Sequence, residues 1–147
     1  MLSEKPSDKV VTQLQKVLVR AVLSGQPLPG LTNSTKIPDL SFITNQPVIY
    51  LVDKNLPGHF SISDSPKPFE IISPESLKQE IEKRGTVSYL QFQPPEGGDN
   101  VVGVTLDMKI SSNDSNQREM GLSSIHVKFS KVGNEWQATE EPTYLAS

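Results

Sequence analysis

Apolar residues recur at Val10, Val11, Leu14, Val17, Leu18, Ala21 and Val22. This i, i+3, i+4, i+7 spacing predicts an amphipathic helix over Asp8–Ser24, with a Val/Leu face to bury. Ser7 stands at the N-cap position, Asp8 suits the positive end of the helix dipole, and Gly25 supplies a stop. Val10, Val11, Val17, Val19 and Val22 are β-branched, so the helix depends on packing more than on intrinsic propensity. Beyond it the periodicity ends. Residues 26–46 contain Pro27, Pro29, Gly30 and Pro38, which break any regular element. Leu28, Leu31, Ile37, Leu40, Phe42 and Ile43 recur too often for a free linker. The segment reads as an extended strap pinned to the core.

Residues 48–52 (VIYLV) form a continuous apolar run between Pro47 and Asp53, as expected of a strand buried on both faces. A turn follows over 53–58. Residues 59–63 (HFSIS) alternate, with Phe60 and Ile62 on one face, and Phe69–Ile72 reads as a third short strand. The second helix is signposted at both ends, by Ser73 as N-cap, Pro74 at the first helical position and Gly85 as the stop. Ile72 and Leu77 make a hydrophobic staple across its start. Only Leu77 and Ile81 are apolar, so it buries one narrow stripe, while Glu80 and Arg84 pair across a turn on the wet side.

The remainder reads as an antiparallel meander. Residues 87–93 place Leu90 and Phe92 on one face, Val87 and Tyr89 on the other, and a turn follows over 94–100. Residues 101–110 alternate most cleanly, with Val102, Val104, Leu106, Met108 and Ile110 facing inward and Thr105, Asp107 and Lys109 outward. A polar loop over 111–120 leads to a strand over 122–131, where Ile125, Val127 and Phe129 point in and His126 and Lys128 out. Gly133 and Asn134 turn the chain into a last strand over 135–140, with Trp136 and Ala138 inward. The prediction is one α+β domain over 1–147: an N-terminal helix and a short second helix packed on a largely antiparallel sheet, with 1–7 and 141–147 loose.

Composition narrows the function classes. The 147 residues carry 14 Lys and Arg against 17 Asp and Glu, a net charge of -3, which argues against a nucleic-acid binder. The absence of cysteine excludes disulfides, a thiolate nucleophile, iron–sulfur clusters and Cys-based zinc sites. The apolar run around Val17–Leu23 is interrupted by Arg20 and falls far short of the ~20 residues needed to span a bilayer. The start, MLSEKPSDKV, lacks a basic region followed by an apolar stretch, so a cytoplasmic location is expected. Export with the signal already removed is the alternative.

Candidate chemistry is sparse. His59 and His126 have neither H-x-x-x-H nor H-x-H spacing and no acidic cluster nearby, so they read as surface histidines, with no metal site and no cofactor. No G-x-S-x-G elbow and no phosphate-binding glycine loop is present, and no catalytic residue is assigned. The chain is therefore expected not to be an enzyme. Asp107 and His126 would both line a pocket if a curved sheet wraps one; otherwise Asp107 pairs with Lys128 or Lys109 across the strands. Tyr89 would stack a ligand if its sheet face is open, and is a packing residue if it is not. Asn33-Ser34-Thr35 and Asn113-Asp114-Ser115 match a glycosylation pattern that matters only in a secreted protein.

From Val87 onward, YLQFQ, VVGVTLDMKI and IHVKFSKVGNEWQ resemble the closing meander of small bacterial α+β domains. They are also similar to NTF2-like and cystatin-like domains, where a strand with F-x-K-x-G-x-x-W closes the sheet. An NTF2-like resemblance implies a cavity between helices and sheet, although here one long helix and a strap replace several helices. The functional expectation is a non-enzymatic binding or accessory module that works by contact with another protein, through polar loops at hairpin ends. The rival is an NTF2-like small-molecule binder or enzyme, with a pocket between the first helix and the sheet lined by Tyr89, Asp107 and His126. A homodimer through the Val19 and Leu23 side of the first helix is a third arrangement.

Overall fold

The computed structural model describes residues 7–24, 28–31, 46–58, 60–62, 68–98, 100–112, 119–140 and 142–146. Helix α1 (Asp8–Ser24) starts at the expected cap: Ser7 Oγ accepts from the Val10 amide at 3.2 Å. Helix α2 (Pro74–Arg84) is capped by Ser73, whose Oγ accepts from the Ser76 amide at 3.1 Å. Its stop is Gly85, at a φ of 89° that glycine adopts without a Cβ penalty, with its amide donating to the Ile81 carbonyl at 2.8 Å. The Glu80–Arg84 pair forms at 3.0 Å.

The strands are β1 (Ile49–Val52), β2 (Phe69–Ile72), β3 (Thr86–Phe92), β4 (Glu96–Gly97), β5 (Val101–Ser112), β6 (Glu119–Val132), β7 (Glu135–Ala138) and β8 (Thr143–Ala146). They make one sheet in the order β2-β1-β3-β5-β6-β7, with β4 added on β5 and β8 on β6. The chain is thus an α+β fold with a mostly antiparallel sheet. The exception is one corner, where β1 runs parallel to both β2 and β3. Parallel strands need a crossover, and α2 supplies the one that carries the chain from β2 past β1 to β3. β6 pairs with β5 along one edge and divides its other edge between two short strands. β7 takes Phe129 to Val132 and β8 takes Ser123 to His126.

Two apolar clusters hold the layers. On one face Val11, Leu14, Leu18 and Val22 of α1 pack on Leu51, Leu90, Phe92, Leu106, Met108, Ile125, Val127 and Phe129. On the other face Leu77 of α2 and Ile72 join Tyr50, Val52, Val87 and Tyr89, which places the predicted staple in a real core. Of the two residues named for an α1 dimer, Val19 is fully buried within this single chain and Leu23 is partly buried against the same core.

Three local readings are corrected. Phe60 and Ile62 are not in a strand. Phe60 instead packs its ring 6.1 Å from those of Phe69 and Phe92, as a plug that needs no ladder. The turn at 94–100 contains β4, with Gly97 at a φ of 118° letting the hairpin close. The tail is not loose across 143–146: β8 sets Tyr144 opposite Ile125. The strap is described at residues 28–31, where Leu28 is buried and the Pro29 carbonyl accepts from the Ala138 amide at 2.7 Å, and at its last residue, Gln46, whose side chain accepts from the Ser88 amide at 2.7 Å and donates to the Ser88 carbonyl at 2.8 Å. The remaining strap residues at 32–45, His59, Gly25 and both glycosylation patterns lie outside the described residues. No helix among the described residues is long and apolar enough to cross a membrane.

Candidate functional site

Period-two alternation gives the sheet two unlike faces. The side chains of Leu90, Leu106 and Ile125 belong to the α1 core, so Tyr89, Asp107 and His126 face away from α1. The space between α1 and the sheet is filled by apolar side chains, and none of the three candidates lines it. The pocket expected there is therefore not the place where they meet.

Tyr89 lies under α2, only 5% exposed, among Leu77, Val87 and Tyr50. Its phenol oxygen is 3.0 Å from Ser111 Oγ, a buried contact across β3 and β5. A ring held this way is a packing residue and is not offered for stacking. The same face becomes polar past α2, along β5 and β6.

Asp107 begins the polar row. Its register partners are Gln91 on β3 and Ser124 on β6. The Ser124 hydroxyl donates to Asp107 Oδ1 at 2.6 Å, and Gln93 Nε2 donates to the same oxygen at 3.0 Å. Hydrogen bonds to an ionised carboxylate are about twice as strong as neutral ones. Asp107, 6% exposed, is thus a tie that fastens the end of β3 to β5 and β6. Lys128 stands opposite Gly103, four pairs along, so the expected Asp107–Lys128 partnership does not form.

His126 is the next rung. It faces Thr105, and its Nδ1 lies 2.7 Å from Thr105 Oγ1. The ring rests across Gly103, where a Cβ would stand 3.0 Å from His126 Cε1. Without a Cβ at 103 the imidazole approaches the sheet closely. Either atom of this contact can be the donor, according to the ring tautomer. His126 and Asp107 sit on diagonal positions, and no hydrogen bond joins them among the described residues. They are two separate fixtures and not an acid–base dyad. Lys128 is exposed beyond them, and Ser130 Oγ lies 3.3 Å from Thr139 Oγ1 at the far end of the row.

Among the described residues no group of three or more His, Cys, Asp or Glu side chains is placed to hold a metal ion. Gln93, Gly103, Thr105 and Ser124 shape this face and were not singled out in the sequence. Alternation alone assigns Gly103 and Thr105 to the Asp107 face, and Ser124 to the His126 face. What it cannot supply is the register that sets each opposite its partner. Comparison with known proteins adds no kinship: no protein-family model, curated protein or solved structure matches the chain.

Proposed function

We propose that the chain is a non-enzymatic binding module that works by contact with another protein. The contact surface is the part of the polar sheet face that α2 leaves uncovered, centred on Thr105, His126 and Lys128. The observation that carries this reading is the fixing of His126. It is held by its hydrogen bond with Thr105 and lies over Gly103, which leaves room for the ring, on a strand pair that does not need it for the core. Side chains already locked in place lose little freedom on association, which favours a specific contact over a loose one. A broad, shallow array of polar groups on a rigid sheet suits a protein surface better than a small substrate, which is commonly enclosed in a concave pocket.

The test is quantitative capture from source cells with three tagged proteins: the unaltered chain, a face variant carrying Thr105→Glu and Lys128→Glu, and a control carrying Lys78→Glu on α2. A protein held by the unaltered chain and the control, and lost by the face variant, supports the reading. Capture that is equal on all three, or absent from the unaltered chain, overturns it.

A further inference from the structure

We propose that the polar sheet face pairs with the same face of a second copy of this chain, about a two-fold axis that runs along β5 above Gly103. The inference rests on the reading of this face as a protein contact, and it names the partner. A two-fold contact brings one patch against itself, so the patch must be complementary to itself.

Two charges meet that demand. Glu96 on β4 and Lys128 on β6 are both register partners of Gly103. They therefore stand one strand spacing, about 4.8 Å, to either side of the same residue. A Cβ at Gly103 would lie 3.9 Å from the Glu96 Cβ and 3.0 Å from the His126 ring, so Glu96 is on the polar face, and alternation with His126 puts Lys128 there too. Both are exposed, and among the described residues neither makes an ion pair within its own chain. Half a turn about a line along β5 exchanges the two flanks. Glu96 of each copy then lies over Lys128 of the other, and two ion pairs form. An axis across the strands would instead set each charge on its own like, which fixes the direction. Opposite charges at matched offsets favour a second copy over an unrelated protein, which need not carry them.

The second observation is independent of charge. Val101 and Val132, 36% and 51% exposed, are the large apolar side chains that the described residues leave exposed. Val101 faces Ser130 across the ladder, and Val132 follows two residues on, so both lie at one end of this same face. On the proposed axis each Val101 meets its copy, which takes apolar surface out of water. The relief allows it. The central row on β5 is Val101, Gly103 and Thr105, with no long side chain, so the two sheets can approach to the ~10 Å of ordinary face-to-face packing.

Sedimentation velocity of the full chain over a wide range of concentration tests this. A reversible monomer–dimer equilibrium is expected. Glu96→Lys and Lys128→Glu, each alone, set like charges together twice and should weaken the dimer by about tenfold or more. An equimolar mixture of the two single variants should associate as the unaltered chain does, because each copy then offers the other opposite charges; this also shows that both variants are folded. A chain that stays monomeric throughout overturns the proposal, as do single variants that dimerise normally or a mixture no better than its components. If the chain is monomeric but a different protein is captured through this face, the proposal falls and the contact reading stands; if nothing is captured either, both fall.

Discussion

Single side chains carry two kinds of polar burial in this protein, satisfied and unsatisfied, and they respond differently to substitution. Ser124 is satisfied and gives half of what holds Asp107 Oδ1. Ser124→Ala should lower unfolding free energy by about 1–3 kcal/mol, because a buried carboxylate loses a donor, and urea denaturation would read this directly. Tyr144 is the opposite case. Its hydroxyl is buried without a partner, and burial pushes its pKa above the usual tyrosine value. Tyr50 is raised as well, chiefly by burial, with Arg84 opposing from 5.9 Å over the ring. The raised folded-state value means that the fold prefers protonated tyrosine. That contribution is complete below about pH 10 and disappears as pH climbs through the folded-state pKa. Tyr144→Phe should therefore be neutral or stabilising at pH 7 and should flatten the alkaline limb of a stability–pH curve. An unchanged limb would place the hydroxyl in contact with water. At this scale Asp107 and His126 were legible as polar-face residues, since strict alternation gives the face. Their partners were not, because register depends on how β5 and β6 pair and on a shift between Ile110 and Ser111.

Elements were most legible where a chemical signal marks both ends. Ser73, Pro74 and Gly85 delimit α2 to the residue, and Ser7 does the same for the start of α1. The exposed Ser73 cap offers a clean measure. Ser73→Ala should cost about 1 kcal/mol in thermal or urea unfolding, leaving the sheet signal intact. Signals fail where an element is short and its partner is distant in sequence. Four residues of β8 alternate too briefly to stand out, and only pairing to the early half of β6 makes them a strand. Phe60 and Ile62 carry an equally brief alternation, yet no ladder receives them. The parallel direction of β1 is invisible locally for a related reason: an apolar run such as IYLV states that both faces are covered, not which way its neighbours run.

At the level of the molecule, among the described residues, the sheet is covered on one side by α1 along β1, β3, β5 and β6, and on the other by α2 over one corner. Fold class was readable because hydrophobic period switches twice, from helical to alternating and back, before the long meander. The residues of α1 that face the sheet were not, because helical spacing cannot distinguish a residue facing the sheet from one facing a second copy. Val19 lies within the monomer core. Val19→Ala should thus lower stability by about 2 kcal/mol through loss of packing, with no change in mass by light scattering. A change in mass would return that residue to an interface.

The division of the outer edge of β6 between β7 and β8 has a consequence for motion. Each short strand can lift without the other, so local opening is expected in two independent steps along one backbone. The amides of the 123–126 half and the 129–132 half should then exchange with solvent as two groups with different protection. A partner bridging both halves of the polar face would slow exchange in each at once.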